Sequence, residues 1–63
     1  MRLRIRDLRE DNDIKQETIA KLLNVTQVTY SRYEIGSRTI SPWSLAKLAE
    51  YYNTSTDYLL RID

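Results

Sequence analysis

A helix stop, an apolar plug and a helix start occupy three consecutive positions, Asn24, Val25 and Thr26, near the middle of a 63-residue chain. After Gly, Asn is the residue best suited to the left-handed turn that ends a helix. Thr is a strong N-cap, its hydroxyl placed to accept a backbone N–H of the helix it opens. Two short helices must therefore meet over one tight turn, the first from about Gln16 to Leu23 and the second from Thr26 to about Ile35. Ile19, Ala20 and Leu23 recur at helical spacing before the turn. Ala20 supplies the small residue that a steep crossing needs. Tyr30 and Tyr33 fall on one side of the second helix and are expected to face inward, leaving Gln27, Val28, Ser31 and Arg32 outside. That helix stops at Gly36, the only glycine.

The flanking sequence adds three more helices. One runs from about Arg2 to Asp11, with Ile5 and Leu8 on a stripe and Leu3 near it, until Asn12 and Asp13 break it. Another opens with Ser41 as N-cap and Pro42 at the first helical position, where a missing N–H costs nothing. Leu45, Leu48, Ala49 and Tyr52 form its apolar stripe, and Asn53 repeats the stop of Asn24. Ser55 caps a last short helix through about Leu60, with Asp57 favourable in its first turn and with Tyr58 and Leu59 closing the core. The expectation is an all-α, five-helix single domain over residues 1–63, with the tightly joined pair at helices two and three. A chain of this size is marginally stable. With no Cys and no His, it has neither disulfides nor the usual zinc sites or Cys and His nucleophiles. A packed helical core must hold it together.

Residues 16–35 thus form a helix-turn-helix unit, whose second helix can enter the major groove of DNA. In that arrangement the start of the second helix points at base edges. Gln27 can bond adenine N6 and N7 together, Val28 suits a thymine methyl, and Arg32, one turn on, reaches guanine or a phosphate. Gln16, opening the first helix of the pair, is placed to meet a phosphate with help from unpaired N–H groups. Net charge is only +1, but residues 14–47 carry +3, residues 48–63 carry −2 and residues 1–13 balance. The positive excess lies on the candidate reading unit.

The pattern resembles the phage-repressor-like (Cro/cI-type, or XRE-type) helix-turn-helix family, whose fold is the lambda-repressor-like DNA-binding domain. The resemblance runs through IRDLRED (5–11), KQETIAKLLNVTQVTYSRYEIGSR (15–38) and LAKLAEYYNTSTDYLL (45–60). Its most specific part is the mutual spacing of Gln16, Ala20, Val25, Thr26, Tyr33, Glu34 and Gly36. It implies base contacts from Gln27, Val28 and Arg32, and backbone contacts from Gln16, Thr26 and Arg38. Beside these, the outward position of Ser31 makes it a further base-contact candidate, and the hydroxyl of Tyr33 at the rim a further backbone-contact candidate. It also implies a partly buried ion pair between Arg9 and Glu34. The implied function is sequence-specific recognition of double-stranded DNA by a transcriptional regulator, a repressor first, at a palindromic operator. No cofactor or metal belongs to that reading.

The chain departs from the family at a few places. Lys15 stands at the usual Ser or Thr cap of the second helix. Asp13 and Asn24 replace frequent glycines. Ile40 stands where Pro is common and Pro42 where an apolar residue is common, with Trp43 expected to take over some packing. Family members often pair through the segment before helix four and through the last helix. A weak homodimer, enhanced on DNA, is therefore expected through Ile40–Trp43 and Tyr58–Ile62. No apolar run approaches the roughly 18 residues that span a membrane, and no signal peptide is visible at Met1. A cytoplasmic protein of a bacterial or phage-infected cell is expected. The second reading is a protein-interaction module on the same scaffold, such as an antitoxin, and the near-neutral charge keeps it open. An enzyme comes third, since the carboxylates are scattered and no nucleophile has an evident base.

Overall fold

The computed structural model describes residues 4–60. Within them the chain forms five helices and no strand: α1 (Ile5–Asp11), α2 (Gln16–Leu23), α3 (Gln27–Ile35), α4 (Pro42–Tyr51) and α5 (Thr56–Leu60). The expected all-α architecture is what these residues adopt. Arg2 and Leu3, where the first helix was expected to begin, lie outside the described residues, as do Arg61, Ile62 and Asp63.

The first four helices stop by one device. Asp13, Asn24, Gly36 and Asn53 all take positive φ, between 54° and 80°. The residue after each sends its N–H back five positions: Ile14 to Arg9, Val25 to Ala20 and Ser37 to Arg32 at 3.0 Å, and Thr54 to Ala49 at 2.8 Å. These bonds satisfy carbonyls that a helix end leaves orphaned. A Cβ resists the left-handed region by about 1–2 kcal/mol, less for Asn and Asp, whose short polar side chains find local partners. Asn24→Ala is therefore expected to destabilise the domain by about 1 kcal/mol, read as a lowered urea midpoint at unchanged slope. An unchanged midpoint would show that the turn tolerates any residue.

Helix starts rely on side chains. Thr26, Ser41 and Ser55 accept the N–H of Thr29, Ser44 and Tyr58, each at 3.1 Å. Such caps contribute about 1 kcal/mol apiece. The starts of α1 and α2 carry no side-chain cap; at α2 this is the expected consequence of Lys15, which precedes it with an extended backbone.

Ile5, Ile19, Leu23, Tyr30, Leu48 and Leu59 are sealed at the centre, drawing on all five helices. Ile14 and Val25, the residues just beyond the α1 and α2 stops, pack against that core. Arg4 N–H donates to Leu59 O at 3.1 Å, tying the start of α1 to α5. No helix among the described residues is long and apolar enough to cross a membrane.

Two packing expectations need correction. Tyr58 does not close the core with Leu59. It is exposed, with the Arg4 guanidinium 4.8 Å above its ring centroid. Trp43 does not take over packing after Gly36, being 59% exposed, and Ile40 does so instead at 9%. The cause is the cap: Ser41 starts α4 at once, which points Ile40 inward and leaves Trp43 on the outer side of the first turn.

Candidate nucleic-acid interface

The interface is built on α3, whose two faces are sharply different. Tyr30 is fully buried and Tyr33 nearly so. Their rings meet edge to face at 6.4 Å, an arrangement that favours aromatic pairs beyond simple burial. With both tyrosines turned inward, Gln27, Val28 and Arg32 stand on the exposed side, Val28 at 62% exposure. An apolar side chain left that open on a capped helix has no structural task in the isolated domain. Ser31 is only half-buried and flanks the same face.

The expected backbone-contacting residues fall into different settings. Arg38 is exposed in the loop after Gly36, at the rim of a cleft of about 220 Å³ lined also by Tyr33, Ile40, Leu45 and Leu60. Thr26 is exposed, but its hydroxyl is engaged in the cap, accepting from Thr29 N–H and donating to Thr29 Oγ1 at 3.0 Å. Tyr33 is placed in the core, which leaves little of it open to a phosphate. Gln16 is half-buried, and its Nε2 donates to Glu34 Oε1 at 2.9 Å. Sequence reasoning did not find this bond, because nothing local links two residues on different helices.

Glu34 is the buried centre of a small polar cluster beneath the interface. Arg9 Nε reaches its Oε2 at 2.6 Å and Arg9 Nη2 its Oε1 at 3.3 Å. Arg9 Nη1 also donates to Ile14 O at 2.8 Å, so one guanidinium joins α1, the first turn and α3. The ion pair expected from the resemblance is therefore formed. Burial works to raise the Glu34 pKa, but the bonds from Arg9 and Gln16, with the adjacent Tyr30 hydroxyl, outweigh it and hold the carboxyl below the usual range. That hydroxyl is buried beside the carboxylate without reaching hydrogen-bond geometry. Burial first, and then the Glu34 charge, push the Tyr30 pKa well up.

Tyr52, just past α4, also buries an unpartnered hydroxyl. Burial, and then neighbouring Tyr51, push its pKa from 10.0 up to about 12. The folded form holds this proton longer than the unfolded chain. Its contribution to stability is thus complete below pH 10.0 and is lost as pH rises toward about 12. Tyr52→Phe is expected to move the alkaline unfolding midpoint upward, measured by circular dichroism across pH 9 to 12. An unmoved midpoint would mean that this hydroxyl ionises alike in both states.

Comparison with known proteins places this geometry. A helix-turn-helix family model matches residues 5–59. The cryptic phage CTXphi transcriptional repressor RstR of Vibrio cholerae is 39% identical over 49 residues, covering 78% of this chain and 44% of that protein. The SPbeta prophage-derived HTH-type transcriptional regulator YonR of Bacillus subtilis (strain 168) is 33% identical over 58 residues, covering 92% of this chain and 54% of that protein. The chain thus spans about half the length of these curated relatives. Among solved structures, the P22 c2 repressor in complex with synthetic operator 9T matches with a TM-score of 0.83 at 32% identity, covering 95% of this chain and 91% of that one. A transcriptional regulator from Listeria innocua matches with a TM-score of 0.86 at 26% identity, covering 100% of this chain and 64% of that one.

Proposed function

We propose, from the premise that this chain belongs to the helix-turn-helix family, that it binds double-stranded DNA sequence-specifically and acts as a transcriptional repressor. The observation that carries the reading is the open outer face of α3. Gln27, Val28 and Arg32 stand free of the core on a helix held rigidly by Tyr30, Tyr33 and Glu34. The likeness to a repressor in complex with a synthetic operator supports DNA as the partner. Gln27, Val28, Ser31 and Arg32 are assigned to base edges in the major groove. Gln16 and Arg38 are assigned to phosphates, with Thr26 and Tyr33 as lesser contributors given their engaged or buried side chains. The working compartment is the cytoplasm of a bacterium or phage-infected cell.

Two copies would sit on a palindrome with half-sites about 34 Å apart. Pairing uses the exposed apolar residues Trp43, Tyr58 and Leu60. Ile40, part of the segment first expected to pair, is internal and reaches only the cleft wall. Ile62 lies outside the described residues. Exposed Ile35 and Trp43 also fit the second reading, a module that docks another protein.

The deciding experiment is selection of bound duplexes from a randomised DNA pool at about 150 mM salt, the physiological regime. A palindromic consensus with half-sites one turn apart is the expected result. A lone half-site would remove the dimer and keep the reading of DNA. No enrichment would end the DNA reading in favour of protein docking.

A further inference from the structure

The chain has two glutamines, and each is the first residue of one helix of the central unit: Gln16 opens α2 and Gln27 opens α3. Their surroundings are opposite. Gln27 is exposed, and no described residue hydrogen-bonds its side chain. Gln16 is half-buried and donates from Nε2 to Glu34. The acceptor cannot drift, because Glu34 is 3% exposed and is gripped at both oxygens by Arg9. A carboxamide nitrogen carries two N–H donors. One is taken inward by Glu34, so rotation of the group is restrained and the other remains for an outside acceptor.

We infer that Glu34 is a positioning residue for DNA binding: anchored by Arg9, it fixes the Gln16 carboxamide so that α2 presents a preset N–H donor to the phosphate backbone, while Gln27 stays free to adapt to bases. This deepens the proposed function and rests on it. Three properties of the cluster fit the assignment. Its ion pair is shielded, so salt does little to loosen it. It is charged, so its bonds are shorter and stronger than neutral ones. It spans α1, α2 and α3, so the donor is fixed relative to the reading helix as well as to its own. Holding a side chain in its bound arrangement before contact removes the cost of ordering it on binding. The uncapped start of α2 makes that help more valuable, since no Ser or Thr at position 15 steadies this corner.

The test is a double-mutant cycle on DNA affinity, using the operator recovered by selection and a temperature at which every variant is folded. In the wild-type background, Gln16→Ala is expected to weaken binding about tenfold, the range of a hydrogen bond to a charged group. It should do so evenly across base sequences. In an Arg9→Met/Glu34→Leu background, which removes the anchor and leaves no lone buried charge, Gln16→Ala is expected to cost less than about twofold. An ion pair with a merely structural role would leave the tenfold effect intact in both backgrounds, and that result overturns the inference. A second measurement needs no variant. In the free protein, the side-chain ¹⁵N–¹H heteronuclear NOE of Gln16 should match the backbone of α2, with Gln27 low as internal control. Equal, low values for both glutamines also overturn it. Failure of the wild type to bind any DNA would instead bring down the function on which the inference stands, and the affinity arm separates the two.

Discussion

Arg9→Ala is expected to lower the stability of the domain by about 3–5 kcal/mol, because it leaves the Glu34 carboxylate buried without its counter-charge. Domains of this size hold only about 3–9 kcal/mol in all, so the variant should be largely unfolded near body temperature. The magnitude follows from burial on both sides, the Arg9 and Glu34 side chains being 13% and 2% exposed. By contrast, the exposed Arg6–Glu10 pair at 3.5 Å sits where salt and side-chain entropy leave such pairs little value.

The pH dependence distinguishes this explanation from simple loss of packing. In the wild type the Glu34 pKa is lowered on folding. Its contribution to stability is therefore complete above the unfolded carboxylate value of about 4.3 and is lost as pH falls through the lowered folded value. With Arg9 removed, burial dominates, the folded pKa rises above the unfolded one, and the sign reverses. Arg9→Ala should then melt at a higher temperature in mild acid than at neutral pH, opposite to the wild type. Thermal melts of both proteins from about pH 2 to pH 7, spanning the reference value of about 4.3 on both sides, read this directly. Parallel profiles would show that the pair carries no buried charge. Arg9→Met/Glu34→Leu should recover most of the lost stability, since replacing both partners of a buried pair by apolar groups is often near neutral.

The second large effect concerns the reading face. Arg32→Ala and Gln27→Ala should each lower operator affinity by about 1–3 kcal/mol, roughly fivefold to a hundredfold, and leave folding within about 0.5 kcal/mol because both side chains are exposed. The pattern of the loss is as informative as its size. A base contact removed relaxes preference at one or two operator positions, whereas a phosphate contact removed weakens all sequences alike. Repeating the selection with each variant gives the pattern, and an unchanged consensus at unchanged affinity would place α3 away from the bases. With a net charge of +1, binding to arbitrary sequence should be modest and fall steeply with salt. Loss of the specific contacts would then leave little residual occupancy.

Most helix boundaries were legible in the sequence because they are set by a residue acting on its own neighbours. Thr26, Ser41 and Ser55 cap through atoms three residues away, and Asn24, Gly36 and Asn53 stop helices through their own φ. The outer face of α3 was legible for a related reason, since Tyr30 and Tyr33 fix which side is inner and the remaining positions follow by helical period. What the sequence hid depends on distance along the chain. Tyr58 leaves the core to meet Arg4, 54 residues away. Gln16 meets Glu34 across 18 residues, and periodicity carries no record of such pairings. The exchange of roles between Ile40 and Trp43 was hidden differently. Both are apolar and either could fill the space, so the choice fell to the exact start of α4.

The four left-handed stops also bear on how quickly the chain finds this arrangement. Each reversal is closed by a bond spanning five residues, Ile14 to Arg9, Val25 to Ala20, Ser37 to Arg32 and Thr54 to Ala49. The direction changes can therefore form while the rest of the chain is still open, without waiting for distant segments to collide. Helical chains dominated by such short-range closures fold in about microseconds to milliseconds. A copy that opens would regain its shape on that timescale, leaving proteases and sticky encounters only a brief opportunity to capture it.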